Sequence, residues 1–433
     1  MKNGGTAMNI MIENVGKIRH ADIAIDGITV IAGENGSGKS TVGKALYAAF
    51  NSLHNSDEKI VRMRQKGIED EIRAARRIDL RSRSAMPALP YASVSNVATT
   101  IINDDLDVDA IVNQLRELFD QRLISAVEER FSGGLASVAE KIRSILDVTD
   151  DEAFLAIATE DLRAEFNGQI NSALHDDAGK ICLTIKQHAT AFSLRKDTVD
   201  TVSERNTLVS QPFYLDDPHV IDDMSPYSFR SSRFLSGHQD DLRDALARAM
   251  RLQPEPSFDR IIWEKKTHRI MEIVNQVCPG SFSREAGGGG TRYVEEDSPG
   301  ITPGNLSDGL KAFVILKTLL EFGAIQEGSL IVFDEPEIHL HPAWQIAFAE
   351  IIVLMQKHLD LHILINTHSP YFMRAIETFS AKHEVAHRCA YYQSSVNVYG
   401  AATFTNVTRD TNVIYASLAA PFQALETMYW ETR

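Results

Sequence analysis

Gly33-Glu34-Asn35-Gly36-Ser37-Gly38-Lys39-Ser40 decides how this chain is read. It fits the phosphate-loop pattern G-x-x-x-x-G-K-[ST], and its surroundings give the pattern meaning. Residues 27–32 before it (GITVIA) read as a buried strand, and residues 41–50 after it (TVGKALYAAF) as a helix. Strand, glycine loop and helix together make a phosphate cradle. The glycines let backbone N–H groups crowd around phosphate oxygens, and the helix N-terminus adds a favourable dipole. Lys39 can reach the terminal phosphates of a nucleoside triphosphate, and the Ser40 hydroxyl can ligate Mg²⁺.

Working outward, residues 9–32 alternate as three short strands, with turns near Asn14-Val15-Gly16 and Asp26-Gly27. Far downstream stands a second apolar strand, Leu330-Ile331-Val332-Phe333, closed by Asp334-Glu335-Pro336. Two acids ending a buried strand are common. Beside a phosphate loop, Asp334 is placed to hold Mg²⁺ and Glu335 to orient or deprotonate an attacking water. A third strand, residues 361–366, leads into Thr367-His368-Ser369-Pro370. A lone histidine is more often structural, but at the carboxyl end of a parallel strand His368 can sense a γ-phosphate. Leu306-Ser307-Asp308-Gly309 opens a helix, where Ser307 and the Gly309 backbone present donors to an anion. An ordinary N-cap is compatible with that role.

Composition excludes little. The formal charge of −15 argues against a chain coated by nucleic acid, although not against a local basic groove. The three cysteines, Cys182, Cys278 and Cys389, lie far apart, fit a reducing cytoplasm and offer no metal site. No run of about 18 apolar residues is present, and residues 1–7 are polar and small. The expectation is a cytoplasmic protein without a membrane span.

Between the two nucleotide-handling ends the character changes. Residues 55–83 are dense in mixed charge, which reads as a solvated helix face or as a contact for nucleic acid or an acidic partner; Pro87 and Pro90 break the segment. Residues 104–176 carry helical spacing, 180–186 and 191–202 read as strands, and 207–215 as a core strand. A Ser- and Arg-rich polar loop follows to about Gly237. Helices are expected over 238–252 and 258–277, and a hairpin with its tip at glycines 287–290. The expected divisions are 1–54 and 301–433 as the two parts of a nucleotide-binding domain, 55–205 as a mainly helical insertion, and 206–300 as a strand plus a second helical segment.

Phosphate loop, LSDG, DEPE and THS, in that order, resemble an ABC-type ATPase. The fuller wording is IENVGKIRHADIAIDGITVIAGENGSGKST, NLSDGLKAF, LIVFDEPEIHLHP and LINTHSP. It resembles ATPases related to OLD-family proteins of bacterial anti-phage systems, most of all those of Septu-type systems, with PARIS-type close behind. The resemblance is specific over residues 9–50 and 301–375. It implies an α/β fold, an ABC-type P-loop domain of mixed sheet and flanking helices with a large helical insertion. It gives Gly33, Asn35, Gly36, Ser37, Gly38, Lys39, Ser40 and Thr41 to the phosphates of ATP. Ser307 and Gly309 go to the γ-phosphate on a second subunit, and Ser40, Asp334 and a Q-loop glutamine at Gln211 to Mg²⁺. Glu335 takes the water, and His368 the switch role.

The implied protein is a slow ATP hydrolase without nuclease activity of its own. It works as a homodimer closed over ATP, or higher assemblies of such dimers, and controls a separate HNH or TOPRIM nuclease, with DNA or a phage component as a further partner. About 65 residues follow His368, too few for a fused TOPRIM domain. Asp308, where a transporter cassette has glycine, would repel a γ-phosphate unless a base pairs with it. The rivals are an SMC/RecF-like DNA-repair ATPase, which calls for a long coiled coil or basic groove, and a transporter cassette, which the large gap between Lys39 and Ser307 disfavours.

Overall fold

The computed structural model describes residues 8–77, 91–174, 177–224, 237–251, 257–284, 291–296 and 298–431. Pro87, Pro90, Arg81, Arg83, most of the polar loop before Gly237, the 287–290 hairpin tip and residues 1–7 lie outside the described residues. The chain forms two compact units, residues 55–157 and the remainder.

The larger unit opens with β1 (Met8–Val15), β2 (Ile18–Ala24), β3 (Ile28–Gly33) and α1 (Lys39–Leu53). In the smaller unit follow α2 (Ser56–Arg77), α3 (Tyr91–Asn103), α4 (Val108–Leu118), α5 (Gln121–Arg130) and α6 (Gly134–Leu146); α7 (Asp150–Glu165) carries the chain back. Next come β4 (Gly179–Ile185), β5 (His188–Arg195), β6 (Thr198–Val202), β7 (Phe213–Leu215), a 3₁₀ helix (Pro218–Met224), α8 (Gly237–Arg251) and α9 (Phe258–Val277). The hairpin β8 (Ser281–Arg284) and β9 (Thr291–Val294) precedes α10 (Asp308–Glu321), β10 (Leu330–Asp334), α11 (Pro342–Leu359), β11 (His362–Thr367) and α12 (Pro370–Lys382). The chain closes with β12 (Cys389–Val396), β13 (Ala402–Asn406) and α13 (Asn412–Glu431).

One mixed sheet organises the larger unit, in the order β6-β5-β4-β1-β2-β13-β12-β3-β11-β10-β7. From β12 to β7 every pairing is parallel. Ile28, Val30, Ile331, Phe333, Ile363 and Ile365 are fully enclosed there, as near-continuous apolar strands covered on both faces require. Their carboxyl ends share one edge, the edge at which ligands bind in open α/β sheets. Register aligns that edge: Thr367 lies opposite Ala32, Asn366 opposite Asp334, and Leu215 opposite Phe333. The fold is therefore the expected α/β ABC-type P-loop domain.

Two expectations need correction. The helical block does not run to residue 205: the smaller unit ends at Ile157. β4 pairs antiparallel with β1, so β4, β5 and β6 extend the main sheet. The strand expected over 207–215 shrinks to Phe213–Leu215. Val209 is exposed, and Pro212 has no N–H to donate to a ladder.

The smaller unit is a helical cluster around Ile68, Ile72, Ile101, Leu115, Val127 and Ile142. Two ion pairs lie within α2, the exposed pair Arg62–Glu58 and Arg73 with the buried Glu69, while Arg64 reaches Asp150.

Candidate functional site

The phosphate loop turns because Gly36 and Gly38 adopt positive φ, 77° and 89°, which costs glycine nothing. Gly38 thereby caps α1 and aims the first N–H groups of that helix into a cavity of about 680 Å³. Asn35, Gly36, Gly38, Lys39, Ser40 and Thr41 line it. Gly33, at the end of β3, and Ser37, which bonds the Glu34 carbonyl, shape the loop from behind.

Lys39 is buried, and its ammonium donates to the carbonyls of Gly33 and Glu34, each at 2.9 Å. Burial pulls its pKa down, while the carboxylates of Glu335, Asp334 and Glu337 pull the other way. Opposite, Asp334 ends β10. Its Oδ2 accepts from the Tyr214 hydroxyl at 2.7 Å, and its Oδ1 is buried with no hydrogen-bond partner. Such an orphaned carboxylate oxygen fits a hydrated cation. Among the described residues no trio of His, Cys, Asp or Glu side chains could hold a metal ion. That suits Mg²⁺, which keeps several waters and takes one or two protein ligands alongside substrate phosphates.

Glu335 follows in a left-handed conformation, φ 51°, unusual for a residue with a side chain. Its N–H bonds the Asn366 carbonyl at 2.8 Å, which holds the turn. Its Oε1 lies 3.8 Å from Lys39 Nζ and 3.2 Å from His368 Nδ1, the latter close but not aligned for a hydrogen bond. Glu337, which motif reading passed over, is enclosed and accepts from the Thr367 hydroxyl and the His368 N–H at 3.3 Å. Burial raises its pKa. It ties the His368 loop to the loop after β10, and its position right after Pro336 was the available signal.

Gln211 is not at this edge. It precedes β7 at the opposite end of that strand and accepts from Arg248 Nη2 at 3.2 Å. Five extended residues would span roughly 16 Å. The residue that follows β7, level with Asp334, is Asp216, and it lines the cavity with Lys39 and Ser40. His238, at the start of α8, stands behind it. The His238 ring places Nε2 3.0 Å from Asp216 Oδ2 and Nδ1 2.6 Å from Glu165 Oε2. Burial disfavours the imidazolium, but the hydrogen bonds and charges of Asp216 and Glu165 prevail and push its pKa up to about 9.

Ser307 and Gly309 lie apart from this cavity, in a second concavity with Asp308, His339, His341 and Trp344. Ser307 caps α10 by accepting from the Leu310 N–H. A Cβ on Gly309 would sit 2.9 Å from the His339 carbonyl, so only glycine fits. Asp308 is paired rather than bare: His219 Nε2 is 3.1 Å away, Lys311 Nζ 3.4 Å and His339 Nδ1 3.8 Å. Lys311 also reaches Asp222 at 2.9 Å, and both His219 and Asp222 lie on the 3₁₀ helix that follows Asp216.

Residues 144–374, more than half of the chain, match the family described as "AAA domain, putative AbiEii toxin, Type IV TA system". The chain belongs to this AAA-domain family. Residues 9–84 match a second family, described as "AAA domain". The AAA-domain chain also aligns with solved structures at low similarity. For the SMC head domain from Thermotoga maritima the identity is 13%, covering 93% of this chain and 98% of that one, with a TM-score of 0.37. An Smc head with an extended coiled coil bound to the C-terminal domain of ScpA, derived from Pyrococcus furiosus, aligns at 12% identity, 98% and 99% coverage and a TM-score of 0.41. The chain is a P-loop ATPase of this family. No described helix is long and apolar enough to cross a membrane.

Proposed function

We propose that this chain is the ATP-binding and ATP-hydrolysing sensor or scaffold subunit of a bacterial anti-phage system, controlling a separate HNH or TOPRIM nuclease. The observation that carries the ATPase part is the convergence of Lys39, Asp334 and Glu335 around a cavity of about 680 Å³ at one sheet edge, with His368 3.2 Å from Glu335. Lys39 holds the β- and γ-phosphates of ATP, its present carbonyl partners being exchanged for charge-assisted contacts. Ser40 and Asp334 would hold Mg²⁺, whose chemistry when bound is to neutralise charge on the phosphate oxygens. Glu335 orients the attacking water and takes its proton, and His368, within reach of Glu335, contacts the γ-phosphate.

Ser307 and Gly309 open onto a separate concavity, which supports a two-fold dimer in which each chain completes the other's site. Lys311 beside Asp308 offsets part of the repulsion that would oppose such closure. The anti-phage assignment rests on the Septu- and PARIS-like wording of the motifs and agrees with a family described as a toxin of a toxin–antitoxin system.

The test is co-expression with the neighbouring reading frames and phage challenge. A co-purifying nuclease, and protection that Lys39→Ala abolishes, are expected. Mg²⁺-dependent DNA cleavage by the chain alone, or protection that survives Lys39→Ala, overturns the reading.

A further inference from the structure

Asp216 stands where the resemblance expects a glutamine, and its environment is built rather than incidental. β7 pairs in parallel with β10 so that Leu215 opposes Phe333, which sets Asp216 level with Asp334 at the carboxyl edge. Behind it His238, almost wholly enclosed, faces a carboxylate with each ring nitrogen. Glu165, equally enclosed, holds the far side of the ring and so fixes the imidazole against Asp216. Asp216 is the member of the trio that reaches the cavity, its side chain 29% exposed.

Charge counting across the cavity points the same way. Asp216, Asp334 and Glu335 line it against Lys17 and Lys39. A nucleoside triphosphate adds about four more negative charges, so the filled site requires a divalent cation close to these carboxylates. Asp216 Oδ2 also keeps a lone pair beyond its bond to His238, and Oδ1 takes a long contact, 3.4 Å, from the Gln239 amide.

We propose that Asp216 is a second carboxylate for the hydrated Mg²⁺ of the nucleotide, bound through water beside Asp334. His238, clamped by Glu165, is its positioning residue: it sets the direction of the carboxylate and touches neither metal nor nucleotide. This deepens the ATPase reading and rests on it. It makes the ends of α7 and α8 part of the nucleotide site.

Calorimetry of ATP binding in Mg²⁺ and in EDTA tests it. The wild type is expected to bind more tightly in Mg²⁺. Asp216→Asn should lose about tenfold of that gain, the size of one charge-assisted contact, while binding in EDTA at least as well as the wild type. His238→Gln should lower the gain in the wild-type background and add nothing in the Asp216→Asn background. An undiminished Mg²⁺ gain in Asp216→Asn overturns the metal role. Equal weakening in both buffers also overturns it, because it marks a structural contact. Additive losses in the double variant overturn the positioning role. A wild type that gains nothing from Mg²⁺ strikes the ATPase reading itself, a result distinct from the others.

Discussion

Glu335 shows how much a single residue is asked to do. Its left-handed backbone is strained for a side-chain-bearing residue and is held by a hydrogen bond to the neighbouring strand. That pose brings one carboxylate within reach of both Lys39 and His368. Glu335→Gln keeps the shape and removes the base. ATP should still bind within a few-fold, and hydrolysis should fall by about 10²-fold or more, measured as phosphate release in single turnover. A variant that turns over at the wild-type rate removes Glu335 from the chemistry. Asp334, Glu335 and His368 were legible in sequence because each sits in a short word whose meaning is local. Gln211 was misplaced because an apolar run was read as strand over its whole length. Phe213–Leu215 is the part that pairs with β10, so the residue at the carboxyl edge is Asp216, directly after Leu215. The Asp216-Asp217-Pro218 stop was the visible mark of the strand's end. The His238 partnership could not be read, because Glu165, Asp216 and His238 meet only through the fold.

Among elements, α1 carries the phosphate loop and must lie flat on the sheet. A Cβ on Gly43 would meet Asn366, Tyr214 and Val332, each at 3.1 Å. Gly43→Ala sets a helix-propensity gain of about 1 kcal/mol against this crowding, so the two nearly cancel. Gly43→Val adds two methyl groups with nowhere to go. It should cost about 1–3 kcal/mol, read as a lower urea midpoint at unchanged slope, and should weaken ATP binding as α1 lifts. An unshifted midpoint removes this packing from the description of the site. The elements themselves were largely legible: β1 to β3 from alternation, and α8 and α9 close to their expected bounds. Sheet membership was not. β4 to β6 alternate locally, but that they extend the main sheet depends on the pairing of β4 with β1, a contact between distant parts of the chain.

For the whole molecule, the separation of the P-loop cavity from the Ser307 concavity is what the proposed dimer rests on. Lys39→Ala and Ser307→Arg subunits should each fail to hydrolyse ATP alone. Mixed, they retain one site with both elements intact, and up to about half of the wild-type activity per mixed dimer is expected. Ser307→Arg hydrolysing normally by itself would refute sharing between copies. One short 3₁₀ helix begins two residues after Asp216, which touches the nucleotide cavity, and carries His219 and Asp222, which grip Asp308 and Lys311 of the signature loop. It works as a strap from the pocket a chain fills to the surface that chain lends. In the proposed dimer two such straps would couple the loading of the two pockets. ATP binding should be sigmoidal, with a Hill coefficient between about 1 and 2, and His219→Ala should flatten the curve toward 1 while leaving both pockets able to fill.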